Sequence, residues 1–236
     1  MTQPTPEQHR ASVARLRQFF DEDRLIRSAW HETDDRGREL ACWAGALGAD
    51  IFSEKDACKA VLAPAWFIEM LPSFDDSTSE ARWAEFTARY VTIMGRVADL
   101  SPEASDRARD RSLIASLEVA KPHDTSGVVE PMIELLRRRI AGENVDADMK
   151  KARATAAGKA AWAAWAAAWA AEAWATRAAA AWAAKAAETA ETATWAATWA
   201  EKRAAEAEAE RAAWDTICDK TLSALEGELG IKETAQ

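Results

Sequence analysis

The chain has 236 residues, a formal net charge of −9 and a mean hydropathy of −0.32. Leu, Ile, Val and Phe together make up only 37 residues, but Ala contributes 57 and Trp 12, and only 9 Gly and 7 Pro interrupt them. That composition predicts an all-α protein with an Ala/Trp core rather than a disordered chain. The excess of 39 acids over 30 bases disfavours nucleic acid as a partner, and the longest uncharged apolar run, Ala160 to Ala171, falls short of the roughly 20 residues a bilayer requires.

Residues 6 to 30 read as a first helix, with Val13, Leu16, Phe19, Phe20, Leu25 and Ile26 on its apolar side and Asp21-Glu22-Asp23 as its candidate break. A second helix is expected over 36 to 48, where Leu40, Trp43, Ala44 and Leu47 fall in helical register and Gly48 follows as a stop. Short helices should occupy 54 to 71 around Pro64, with Pro72 closing the stretch. Ser77-x-x-Glu80 has the form of a capping box. It precedes Trp83, Phe86, Tyr90, Ile93, Met94 and Val97 at spacings of three and four, which predicts a helix over about 78 to 99. Ser101-Pro102-Glu103 opens a further helix that stops before Pro122, and another is expected over 127 to 141, ended by Gly142.

From Asp146 to Thr216 the chain contains no Leu, Ile, Val, Phe or Pro, and its apolar atoms come almost entirely from Ala and Trp. Trp162, Trp165 and Trp169 share one helical face, as core or as an interface. A single rod from Met149 to Glu226 would be roughly 115 Å long, far beyond a compact domain. The Thr-rich run Glu188 to Thr194 is therefore the expected break, Thr198-x-x-Glu201 a capping box that restarts the helix, and the product a long antiparallel Ala/Trp-rich helical hairpin. Trp214, Ile217, Cys218, Leu222 and Leu225 then return to an ordinary apolar face. The expected organisation is a helical bundle over 1–145, with the hairpin of 146–236 packed on it as one domain.

For chemistry, the densest local site is His31-x-x-Asp34-Asp35-Arg36-x-Arg38-Glu39 beside Trp30. Trp30, His31, Asp35, Arg36, Arg38 and Glu39 are its candidate binding residues; the plainer alternative is a capped helix start with solvated ion pairs. Asp75-Asp76 could take part in metal or acid–base chemistry, or simply complement a helix N-terminus. There is no GxSxG, no GxGxxG and no GxxxxGK[ST], and the three Cys and three His are scattered. No catalytic residue, metal or cofactor is therefore expected. Three Cys outside any CxxC arrangement, behind a polar N-terminus, point to the cytoplasm.

The ordered set Asp34-Asp35-Arg36-Gly37-Arg38-Glu39-Leu40-Ala41-Cys42, Pro64-Ala65-Trp66, Phe74-Asp75-Asp76-Ser77-x-x-Glu80-x-x-Trp83 and Arg138-Arg139-Ile140-Ala141-Gly142-Glu143, followed by the Ala/Trp tract, resembles alanine-rich proteins of bacteria and their phages. The second half, about 95 residues from Ala141, is similar to the alanine-rich type of immunity protein. The resemblance implies a non-enzymatic role in binding another protein, a toxin or a host factor. The alternative left open is a self-assembling helical protein whose Ala/Trp helices pack on a second copy, and a weaker third is a small-molecule site at the His31–Glu39 cluster.

Overall fold

The computed structural model describes residues 4–124, 127, 129–154 and 192–231, with backbone alone at 123, 153–154 and 192–202. The described residues are predominantly helical, with one two-stranded sheet. The elements in chain order are α1 (Pro6–Asp21), β1 (His31–Thr33), β2 (Glu39–Ala41), α2 (Glu54–Ala60), α3 (Ala65–Ser77), α4 (Glu80–Met94), α5 (Pro102–Ala120), α6 (Val129–Ile140), α7 (Asp146–Ala154) and α8 (Thr192–Leu229). The class is all-α, as the composition implies. Trp162, Trp165 and Trp169, and with them the turn of the expected Ala/Trp hairpin, lie outside the described residues. The chain divides into two compact units, residues 1–115 with 211–236, and residues 116–210.

In the first unit α1 opens on a reciprocal cap. Thr5 Oγ1 accepts the Gln8 backbone N–H at 3.2 Å, and Gln8 Oε1 accepts that of Thr5 at 2.8 Å, with Pro6 in the first turn. The helix ends at Asp21, at the acidic run, and not at residue 30. Asp23 takes a positive φ of 52°, which no α-helix accommodates.

The predicted helix over 36–48 is replaced by a hairpin, in which His31 pairs with Ala41, Glu32 with Leu40 and Thr33 with Glu39. Turn chemistry overrides the apolar spacing. Asp34 Oδ1 accepts the backbone N–H groups of Arg36 (2.9 Å) and Arg38 (2.8 Å), the Gly37 N–H donates to the Asp34 carbonyl, and Gly37 has φ 75°. A three-residue loop with glycine in the left-handed region is a standard hairpin connection. Only a 3₁₀ turn, Gly45–Leu47, survives of the expected helix. Gly45 admits no side chain, because a Cβ there would lie 2.1 Å from the Trp30 carbonyl oxygen.

Pro72 does not close its stretch. It sits inside α3, which continues to Ser77 and buries Phe74 and Asp75 beyond the proline. The Ser77 capping box is likewise absent. Ser77 is the last residue of α3, and α4 starts at Glu80 behind Ser79, whose N–H donates to Asp215 Oδ1 at 2.7 Å. Thr198 lies inside α8 rather than at a helix start. Helix α5 agrees with the sequence reading, with Ser101 Oγ accepting the Ala104 N–H at 3.2 Å.

The core of this unit is built from Leu16 and Phe19 of α1, Phe67, Ile68, Leu71 and Phe74 of α3, Phe86, Tyr90, Ile93 and Met94 of α4, and Trp43 and Leu47 after the hairpin. Ile217, Cys218, Leu222 and Leu225 of α8 complete it, the same face of α8 that the sequence marks as apolar. Arginines tie the end of α8 to its neighbours. Arg89 reaches Asp219 (2.6 Å), Ser223 (2.8 Å) and Glu226 (2.9 Å), and Arg107 and Arg111 both bind the half-buried Glu228.

In the second unit, Val129, Ile133 and Leu136 form the buried side of α6, and Val145 and Met149 are buried at the start of α7. Gly142, at φ 88°, makes the turn between the two helices. Arg138 is bonded to Glu143 at 2.7 Å and lies 3.4 Å from Asp148.

Candidate functional site

The hairpin presents a short, well-tied charged surface. Strand β1 places His31 and β2 places Glu39 on the same side of the ladder, 3.1 Å apart from Nδ1 to Oε1. The other ring nitrogen, Nε2, lies 2.9 Å from the Ile51 carbonyl oxygen. Both partners are acceptors, so the ring meets both only when both nitrogens carry protons.

Glu39 collects further cations. Arg15 of α1 donates to Oε1 at 2.6 Å, and Arg24 lies 3.9 Å from Oε2 while its Nε donates to the Glu39 carbonyl at 2.7 Å. Both guanidinium groups cover the face of Phe19, at 4.4 Å for Arg15 and 3.9 Å for Arg24. Burial opposes charge on Glu39, but the hydrogen bonds and charges of Arg15 and His31 prevail and hold its carboxyl below the usual range. At the tip, Arg38 pairs with Asp34 at 2.8 Å. The hydrogen bonds from the Arg38 and Arg36 amides and the Arg38 side chain hold Asp34 low as well.

Of the sequence-predicted site, the structure therefore joins His31 to Glu39, and Arg38 to Asp34. Asp35 and Arg36 stand exposed at the loop tip, with no ion pair among the described residues. Trp30 is half-buried, with its carbonyl against Gly45. The capped-helix alternative is overturned with the helix itself, although the site does contain ion pairs.

Sequence reasoning missed three contributors. Arg15 and Arg24 converge on Glu39 from 24 and 15 residues away, which no local pattern records. The third is Phe52, which is 62% exposed and whose ring centroid lies 4.9 Å from that of His31. A lone aromatic in a loop gives no sign in sequence of which side it will face.

Behind the hairpin lies a buried polar cluster. The Trp43 indole N–H donates to Thr87 Oγ1 at 3.0 Å, the Tyr90 hydroxyl donates to the Trp43 carbonyl at 3.2 Å, and the Trp83 indole N–H donates to Asp75 Oδ1 at 2.9 Å. Asp75 Oδ2 is buried with no hydrogen-bond partner. Neither Asp75 nor Asp76 stands at a helix N-terminus. They occupy the last turn of α3, where acids oppose the helix dipole. Arg27 compensates for them. Its guanidinium donates to the carbonyls of Asp75 (2.8 Å), Asp76 (2.9 Å) and Thr78 (2.6 Å), and the Ser28 N–H donates to Asp76 Oδ1.

Burial pushes the Cys42 thiol up to about 11 and raises Cys218 well above the ordinary thiol value, so both are protonated and poorly nucleophilic at neutral pH. Among the described residues, no group of three or more His, Cys, Asp or Glu could hold a metal ion, and no helix is long and apolar enough to cross a membrane. No protein-family model, curated protein or solved structure matches this chain.

Proposed function

We propose that the chain is a non-enzymatic protein-binding module that docks its partner through the hairpin of residues 31–41 and the adjoining Phe52. The observation that carries this reading is the exposure of Phe52, at 62%, in a unit that fully buries Phe19, Phe67, Phe74, Phe86, Trp43 and Tyr90. An exposed aromatic gains free energy when a partner covers it, and aromatic and arginine side chains dominate interface energetics. The surface is also pre-organised. Asp34 fixes the loop, and the Arg15–Arg24–Glu39–His31 cluster fixes the strands, so little ordering entropy remains to be lost on binding. Protonated, buried thiols at Cys42 and Cys218 favour binding over thiol chemistry, and three cysteines without a disulfide fit a reducing cytoplasm. In its finer form the reading is an immunity-type or phage–host conflict factor whose partner is a toxin or host protein; the resemblance of the alanine-rich half supports it.

The test is co-purification and titration against the products of the adjacent genes. A stoichiometric complex whose Kd rises by about tenfold or more in Phe52→Ala and in Arg36→Ala is expected, with both variants folded because both side chains are exposed. A complex indifferent to both substitutions would remove the hairpin as the docking surface. A stable homodimer by light scattering, with no complex formed, would replace the reading with self-assembly through the Ala/Trp-rich tract of the sequence that contains Trp162, Trp165 and Trp169.

A further inference from the structure

Helix α1 has a second working face, away from the one that sends Arg15 to the hairpin. Arg10, Val13, Ala14 and Arg17 fall within about 100° of one another around the helix, and Arg15 and Phe19 project on the opposite side. The Arg10 face lines a cleft of about 560 Å³, closed by Leu62 and by Gly95, Ala98 and Asp99 beyond α4. That volume lies in the range of small-molecule sites.

His9 is the cleft's buried polar member, at 6% exposure. Its Nδ1 accepts the Leu62 backbone N–H at 3.3 Å, so the neutral ring carries its proton on Nε2. Burial and the neighbouring Arg10 charge lower the affinity of the ring for a second proton, against the pull of Asp99. No described residue accepts from Nε2–H. Arg10 and Arg17 form no ion pair among the described residues, while Asp99 is engaged by Arg96 at 3.1 Å. The cleft thus offers the Nε2–H of His9 and two guanidinium groups with no ion pair among the described residues, about two helical turns apart, on either side of the apolar strip of Val13, Ala14 and Leu62.

We propose that this cleft is a binding site for a small aliphatic carboxylate, its oxygens held by His9 Nε2–H and an arginine and its chain laid along Val13, Ala14 and Leu62. Arginine pairs with carboxylates through charge-assisted hydrogen bonds, and the apolar strip selects against a bare anion. The proposal is independent of the hairpin reading, because the two share no residue.

Octanoate is the probe, titrated into the full chain and followed by calorimetry and by the His9 imidazole resonances, with octan-1-ol and inorganic phosphate as the comparison ligands. Saturable octanoate binding is expected, with both comparison ligands weaker by about tenfold or more and the double variant R10Q/R17Q losing a similar factor. Both arginines are exposed, so this variant keeps the fold, which circular dichroism verifies. The proposal is overturned by absence of saturable binding at millimolar octanoate, by octan-1-ol binding equally well, by phosphate binding equally well, or by indifference to the arginine substitutions.

Discussion

Trp43→Ala is expected to destabilise the first unit by about 3–5 kcal/mol, the range for removing a large aromatic from a packed core. The indole is 0% exposed. It stacks on Tyr90 with centroids 4.9 Å apart and planes 8° apart, and lies 6.4 Å from Trp83. It also joins elements distant in the chain, because its N–H reaches Thr87 on α4, which in turn donates to the Trp83 carbonyl at 2.7 Å. Truncation leaves a cavity, removes the stacking partner of Tyr90 and takes away the donor to a buried hydroxyl. Trp43→Phe should cost less than Trp43→Ala, because it keeps a ring against Tyr90 and loses mainly the N–H donor, a change of about 1–3 kcal/mol. Urea unfolding followed by circular dichroism measures both. Equal midpoints for wild type and Trp43→Ala would show that this ring does not organise the core.

Asp75 should produce an unusual pH dependence. Burial pushes its carboxyl up to about 7; the Trp83 N–H opposes this, Asp76 reinforces it, and the Trp43 amide and Arg27 oppose it again. The folded value lies above the ordinary 3.8, so the folded state holds this proton more tightly than the unfolded chain. The group's contribution is therefore fully present below pH 3.8 and is lost as pH rises through about 7, a total of about 4 kcal/mol by linkage.

Depressed carboxyls such as Glu39 and Glu228 act in the opposite sense, losing their contribution as pH falls below the ordinary glutamate value. The difference between wild type and Asp75→Asn isolates the aspartate. The amide can still accept from Trp83, but its NH₂ occupies the position that has no partner, at a cost of about 1–3 kcal/mol. Asp75→Asn is expected to be the less stable protein at pH 4 and to gain steadily on wild type towards pH 8. Parallel stability curves across that interval, from urea midpoints, would contradict the buried, unpaired placement of Oδ2.

What was legible in the sequence follows from the range of the forces involved. Helices α4 and α6 and the apolar face of α8 are readable because their burial repeats every three to four residues along one element, whereas α5 is readable from its Ser101-Pro102-Glu103 start alone: its Ala104, Ala108, Ser112 and Ala115 are buried and its Leu113 is exposed. Leu40, Trp43, Ala44 and Leu47 show the same spacing, yet they belong to a strand and a turn. Asp34 and Gly37 supply a tight hairpin loop just ahead of them, and the Leu25–Ala41 bridge ties the segment to the loop after α1. The Asp34-Asp35-Arg36-Gly37 turn is the local signal for the hairpin, and it overrides the helical spacing behind it. Pro72 reads as a stop in the sequence, but burial of Phe74 and Asp75 carries α3 past it.

The charged residues of the site were identified in sequence because they are contiguous. Their partners Arg15, Arg24 and Arg27 were not, since convergence of three arginines on Glu39 and on the end of α3 depends on tertiary packing alone.

The account rests on residues 31–41 being a fixed hairpin in the free protein rather than the helix their spacing suggests. Amide hydrogen exchange tests this most directly. Slow exchange is expected at Asp34, Ala41 and Cys42, whose N–H groups donate to the carbonyls of Arg38, Arg24 and Ala29 at 3.0 to 3.1 Å, together with cross-strand contacts between His31 and Ala41. Rapid exchange at these three amides, or a continuous run of helical contacts over 36–48, would contradict it.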